Sequence, residues 1–248
     1  MINYYGSLCT VMYELLHPHA PEDELQFYLQ YAKKEMKVLE PLCGSGRFLV
    51  PFLERGFNIT GFDMSEEMLK ELYKKAPKAK VFESSIEKFS PKEKYDYIFI
   101  TSGSFSLFLD EDIAFNVLVK MKEALAPKGK FVFTAETETT ANIISDREEY
   151  LENCHVKTKE GYDIIFKSKS FYDKHKKILS TPSLYELYDG GNLLGKEEMD
   201  FRIKLYDFGE LEELILKAGF KGSYVFSDFN RRESIDKNTE TFLYECYI

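Results

Sequence analysis

The chain has 248 residues, with 33 Lys and Arg against 42 Asp and Glu, for a net charge of −9. That length is enough to bury one α/β core carrying an insertion, so two independent domains are not required. The acidic balance and the lack of a basic stripe speak against a nucleic-acid partner. No apolar run has the length of a signal peptide or membrane span. Cys9, Cys43, Cys154 and Cys246 lack C-x-x-C spacing, so free thiols in a reducing cytoplasm are expected and a metal site is not.

Taken in order, residues 1–35 carry apolar positions at helical spacing: Leu8, Val11, Met12, Leu15 and Leu16. His17-Pro18-His19-Ala20-Pro21 breaks that pattern, and this His pair has no third metal ligand beside it. A second helix is predicted from Glu22 to about Lys34, with Leu25, Tyr28, Leu29 and Ala32 on one face. The apolar run from Met36 then ends in Glu40, and Gly44-Ser45-Gly46 hands over to an amphipathic segment containing Phe48, Leu49, Phe52 and Leu53. Strand, tight glycine turn and helix in that order give a site for a nucleotide-like ligand or a carboxylate, because glycine opens the backbone and a helix start offers unpaired N–H groups. A dinucleotide fingerprint would need a further glycine at position 49, where Leu49 stands.

A second apolar run, Phe57–Phe62, ends in Asp63, placed to accept both hydroxyls of a ribose from the end of a second strand. Helix 66–75 stops at Ala76-Pro77, and the strand Lys80–Glu83 leads to Ser84-Ser85-Ile86-Glu87, where a side-chain oxygen and a backbone N–H can read an adenine edge. Tyr95–Ile100 is a fourth strand, ending in Thr101-Ser102-Gly103-Ser104-Phe105. Helix 111–125, the turn Pro127-Lys128-Gly129 and a fifth strand, Lys130–Ala135, follow. Between Glu136 and Tyr206 the pattern shifts to alternation, with turn signals at Lys159-Glu160-Gly161 and Asp189-Gly190-Gly191-Asn192, and predicts three or four antiparallel strands. A helix over 208–218, a sixth strand over 221–227 and a seventh over 239–248 complete the chain.

The segments E-P-L-C-G-S-G-R at 40–47, G-F-D-M-S-E-E-M-L at 61–69, Y-D-Y-I-F-I at 95–100 and L-A-P-K-G-K-F-V-F at 125–133 resemble those of the class I S-adenosylmethionine-dependent methyltransferases. The resemblance covers roughly residues 36 to 136. It implies that the turn at Gly44 and Gly46 passes under the methionine part of the cofactor, that Asp63 holds the ribose, and that Met64 lies against the adenine. Leu42 stands where the family usually has its first glycine, as in its L-E-x-x-C-G-T-G-R variants. Ser85 stands where the family typically has an acidic residue, beside the apolar Ile86, with Ser84 as the alternative register. The expected cofactor residues are Glu40, Leu42, Gly44, Gly46, Arg47, Asp63, Met64, Ser85, Ile86 and Ser102.

The implied fold is a Rossmann-like, seven-stranded α/β sheet flanked by helices, with an antiparallel β insertion after the fifth strand. Residues 1–35 are then a helical cover in which Tyr4, Tyr5 and Tyr13 are candidates to close the cofactor pocket. Residues 36–136 and 207–248 form the binding domain, and 137–206 an antiparallel substrate lid. The implied reaction carries the methyl group of S-adenosylmethionine to the N or O of a small molecule, leaving S-adenosylhomocysteine, in a cytoplasmic protein for which a homodimer is allowed. A nicotinamide-dependent oxidoreductase is disfavoured by Leu49, and a cofactor-binding partner or regulator without turnover stays open. His155, His175 and Tyr185 are the insertion's candidates for a base, and no catalytic residue is assigned.

Overall fold

The structure is a computed structural model describing residues 2–143, 145–236 and 238–248. In chain order its elements are α1 (Ser7–Leu16), α2 (Glu22–Leu29), β1 (Lys37–Pro41), α3 (Leu49–Glu54), β2 (Asn58–Asp63), α4 (Glu66–Lys75), β3 (Lys80–Glu83), β4 (Tyr95–Ile100), α5 (Glu111–Ala124) and β5 (Leu125–Glu136). They continue as α6 (Glu138–Ile143), β6 (Arg147–Lys157), β7 (Asp163–Asp173), β8 (Ile178–Ser180), β9 (Ser183–Asp189), β10 (Asn192–Met199), β11 (Arg202–Lys204), α7 (Glu210–Lys217), β12 (Gly222–Phe226) and β13 (Thr241–Tyr247). Among the described residues no helix is long and apolar enough to cross a membrane.

The nearly continuous burial of β1 and β4 marks them as central strands covered on both faces. They sit in a seven-stranded sheet of order β12-β13-β5-β4-β1-β2-β3. Strands β1 to β5 run parallel, while β13 is antiparallel to β5 and β12 to β13. On one face α5 and α7 bury Val117, Leu118, Met121, Leu211 and Ile215 against Phe131, Phe133 and Tyr244. On the other, α2, α3 and α4 bury Tyr28, Leu49, Phe52 and Leu72 against Phe99 and Val132. Strand order reverses between β1 and β4, so the crevice for a ligand opens at their carboxyl ends.

Helix starts follow local chemistry. Ser65 Oγ accepts from the N–H of Met68 at 3.1 Å to begin α4, and Asp110 caps α5 through the N–H groups of Asp112 and Ile113. Helix α2 stops at Leu29, earlier than the sequence pattern predicts, where the chain tightens into turns in which the Tyr31 N–H donates to the Tyr28 carbonyl at 3.4 Å and the Ala32 N–H to the Leu29 carbonyl at 3.1 Å. The Tyr28 ring stacks on Phe99 at 5.2 Å and its hydroxyl donates to the Ile100 carbonyl at 3.2 Å.

The segment after β5 holds more strands than the three or four expected, β6 through β11. They form a separate antiparallel sheet of order β10-β9-β7-β8-β11, with β6 on β7. The N-terminal segment also divides instead of acting as one cover. Helix α1 packs on the insertion, sharing a core of Cys9, Met12, Ile164, Tyr185 and Met199, while α2 belongs to the main sheet. Glu197 of β10 fixes α1 in place by accepting from the N–H groups of Leu8 at 2.9 Å and Cys9 at 3.0 Å. Gly6 permits this, since a Cβ there would lie 2.7 Å from the Glu197 carboxyl. Asn3 continues the attachment, with its side chain donating to the Arg202 carbonyl and accepting from the Arg202 N–H. On its other side α1 is tied to α4 by the Glu14–Lys75 ion pair.

Candidate cofactor cavity and acceptor chamber

The turn after β1 is held by its backbone: the Cys43 N–H donates to the Phe62 carbonyl at 3.0 Å and the Gly46 N–H to the Cys43 carbonyl at 2.9 Å. Its two glycines serve different ends. Gly44 has φ +52° with open space where a Cβ would stand, so ligand can approach the main chain there. Gly46 has φ +82°, and a Cβ would meet Leu72 Cγ at 2.9 Å, so this glycine seats the turn on α4. Leu42, with φ +56°, takes the left-handed conformation that the family's usual glycine accommodates freely.

Asp63 joins two elements. Its Oδ2 accepts from the Gly44 N–H at 2.9 Å and its Oδ1 from the Ser65 N–H at 2.8 Å. Burial pushes the Asp63 pKa up, opposed by hydrogen bonds from the N–H groups of Ser65, Gly44 and Met64. The carboxylate therefore serves the backbone of both turns as well as facing the crevice. Glu40, buried at the end of β1, has an Oε2 with no hydrogen-bond partner. Burial raises its pKa well above the carboxylate range, and Asp63 and Glu24 push the same way against the opposing charge of Arg47.

Arg47 and Ser102 lie behind the turn. The Arg47 Nη2 donates to Ser102 Oγ, and its guanidinium lies over the rings of Phe48 at 5.2 Å and Tyr13 at 5.6 Å. Glu24 of α2 completes this group by accepting from the Ser102 N–H at 2.7 Å.

A cavity of about 500 Å³ opens at the carboxyl ends of β1 to β4. Leu42, Gly44, Asp63, Met64, Ser85 and Ile86 all line it, whereas Glu40, Gly46, Arg47 and Ser102 do not. The connection from β4 to α5 adds Leu107 and Phe108, which carried no sequence signal, and the first turn of α5 adds Ile113. Tyr5 and Tyr13 form part of the roof, while Tyr4 turns away to donate to Glu67 Oε2 at 2.7 Å. The Tyr5 carbonyl anchors that roof by accepting from Ser65 Oγ at 2.6 Å.

Tyr5 and Tyr13, with rings edge to face at 5.9 Å, also border a second chamber of about 250 Å³ between α1 and strands β7 and β9. Of the insertion's base candidates only Tyr185 lines it. His155 sits on an exposed face against Asp163 at 2.9 Å, and His175 lies in the exposed β7–β8 turn. His17, weighed in the sequence only as a metal ligand, stands at the chamber's mouth. A wider cleft of about 800 Å³, around Glu138, Phe208 and Tyr224, contains none of the expected site residues, so size alone does not mark the site.

Residues 38–129 match the family described as a methyltransferase domain. The chain is similar to the Bacillus subtilis protein YqeM, whose name assigns it provisionally to the methyltransferases, with 20% identity over 236 residues covering 93% of this chain and 92% of that one. A solved S-adenosylmethionine-dependent methyltransferase from Clostridium acetobutylicum aligns with a TM-score of 0.79 at 14% identity, covering 96% of each chain. The sugar N-methyltransferase KedS8 from Streptoalloteichus aligns with a TM-score of 0.74 at 14% identity, covering 94% of this chain and 90% of that one. At such identity the structures establish the common fold alone, a mostly parallel seven-stranded sheet with an added antiparallel sheet. The chain thus carries a methyltransferase domain over residues 38–129 within the fold of solved S-adenosylmethionine-dependent methyltransferases.

Proposed function

We propose that this enzyme transfers the methyl group of S-adenosylmethionine to a nitrogen or oxygen of a small molecule. The observation that carries the reading is the pair of cavities sharing Tyr5 and Tyr13, one over the glycine turn and one against the insertion sheet. Asp63 would hold the ribose with the lone pairs its backbone bonds leave free, Met64 and Ile86 would flank the adenine, and Ser85 would meet its edge. The Gly44 backbone would face the methionine part.

The donor set fits that cofactor. A buried, unpartnered carboxyl oxygen is costly, and the orphan Oε2 of Glu40, set behind the cavity lining, is an acceptor that the cationic amino group of the cofactor would satisfy by reaching past the glycine turn. When bound, the cofactor supplies a methyl carbon already activated by its sulfonium, with a neutral thioether as leaving group. The chain's own part is to align the acceptor lone pair and to exclude water, which Tyr5, Tyr13 and α1 are placed to do. An amine acceptor must be neutral to present its lone pair, and a hydroxyl would be helped by a base; the proton lost has an exit at the mouth beside His17.

Calorimetric titration tests the reading. Adenosylhomocysteine is expected to give a saturable heat and NAD none; a saturable NAD heat without one for adenosylhomocysteine overturns it.

A further inference from the structure

We infer that the chamber between α1 and the insertion sheet admits an uncharged aromatic acceptor, a single substituted ring bearing one hydroxyl or amino nucleophile. The inference rests on the methyl-transfer reading, since the chamber matters because it shares a wall with the cofactor cavity. Aromatic faces bound it on two sides. Tyr5 and Tyr13 form the shared wall, and across from them Phe166 of β7 and Tyr185 of β9 stack with centroids 5.1 Å apart and planes 12° apart. A flat ring gains from offset or edge contacts with both pairs. Met12, Leu16, Met199 and Phe201 supply aliphatic and aromatic surface around them.

The polar groups of the chamber are neutral. Thr181, Ser183 and Tyr185 bring hydroxyls, and none of the described residues lining it is Lys, Arg, Asp or Glu. Charges nearby are already engaged: Glu197 caps α1, and Arg47 is bonded to Ser102. The His17 ring packs on Tyr13 at 5.0 Å, and partial burial with the Arg47 charge lowers its pKa, favouring neutral imidazole. A carboxylate or ammonium entering here finds no opposite charge to offset its lost hydration.

Part of the hydroxyl capacity is also used within the protein. Ser183 Oγ donates to the Thr181 carbonyl at 2.9 Å, and the Tyr185 hydroxyl meets Cys9 Sγ at 3.4 Å. A saccharide, with hydroxyls around its ring, would leave several unpaired. The volume agrees. An apolar cavity of about 150 Å³ holds benzene, so about 250 Å³ takes one substituted ring.

The test uses the full chain saturated with adenosylhomocysteine and titrated calorimetrically with 4-methylphenol, 4-methylaniline, 4-hydroxybenzoate and glucosamine. The two neutral aryl compounds are expected to bind at least about tenfold tighter than the other two. Thr181→Arg, which sets a guanidinium at the partly exposed rim, should shift the preference toward 4-hydroxybenzoate by about tenfold while leaving adenosylhomocysteine affinity unchanged. Absence of adenosylhomocysteine binding would overturn the methyl-transfer reading itself. Normal adenosylhomocysteine binding with glucosamine or 4-hydroxybenzoate bound as well as the neutral aryls, or with none of the four bound, would overturn the acceptor class alone.

Discussion

The cofactor cradle sets the buried carboxyl of Glu40 and the partly buried carboxylate of Asp63 around a left-handed Leu42 and the left-handed Gly44 and Gly46. The acceptor chamber draws its walls from Tyr5 to Phe201, and its described lining contains no charged side chain. The cradle is thus a local device whose backbone geometry and charge are costly to the fold. The chamber is a long-range device held by ordinary apolar packing and one helix cap. Destabilised polar groups concentrate where a ligand is to satisfy them, whereas shape selection needs no such stored cost.

The sharpest break in that comparison is Asp63→Ala. The variant removes the acceptor for the N–H groups of Gly44 and Ser65 along with the ligand-facing charge. Adenosylhomocysteine affinity should fall by about 3 kcal/mol, roughly a hundredfold, and unfolding free energy by about 2 kcal/mol, because charged hydrogen bonds are lost and N–H groups are orphaned. Denaturant melts beside calorimetry would read both. An unchanged melt with weakened binding would mean that the carboxylate serves the ligand alone.

On the chamber side the corresponding variant is Glu197→Ala. It uncaps α1, which should cost about 1 kcal/mol of stability and loosen the wall carrying Tyr5 and Tyr13. Acceptor turnover should fall severalfold and adenosylhomocysteine affinity by less, since Tyr5 and Tyr13 also roof the cofactor cavity but no hydrogen bond of Glu197 reaches the glycine turn. Equal losses of cofactor and acceptor binding would show that the two regions are one unit.

This contrast also explains what was legible in the sequence. Gly44, Asp63, Met64 and Ser85 were readable because each follows a strand at a fixed offset, and all four line the cavity. Arg47 and Ser102 stand at equally suggestive offsets but face Glu24, a partner 78 residues from Ser102 that no local pattern reveals. Strands β8 and β11 are three residues each and are defined by pairing with each other and with β7, so their own sequences gave no warning of them. The docking of α1 on the insertion depends on Gly6 and Glu197, whose relation appears only once the chain is folded. Leu107 and Phe108 reach the cavity from a connection whose residues look like any apolar segment, and Ile113 from the first turn of α5.

The smallest expected effect, and the one that sharpens the cradle most, comes from Leu42→Gly. A leucine at φ +56° carries a cost of about 1–2 kcal/mol that glycine does not. Against this relief, glycine adds about 0.5–1 kcal/mol of unfolded-chain entropy. Removing a half-buried side chain that packs against the α5-side core loses about 1 kcal/mol more. These contributions nearly cancel, so unfolding free energy should change by less than about 1 kcal/mol, and adenosylhomocysteine affinity by less than about tenfold as the cavity wall opens. Chemical denaturation and calorimetric titration on the same preparation would measure both. A destabilisation above about 2 kcal/mol would mean that packing, rather than backbone conformation, governs position 42. A stabilisation of that size would mean that the left-handed turn is the dominant cost in the cradle, held in place by the contacts Asp63 makes on either side of it.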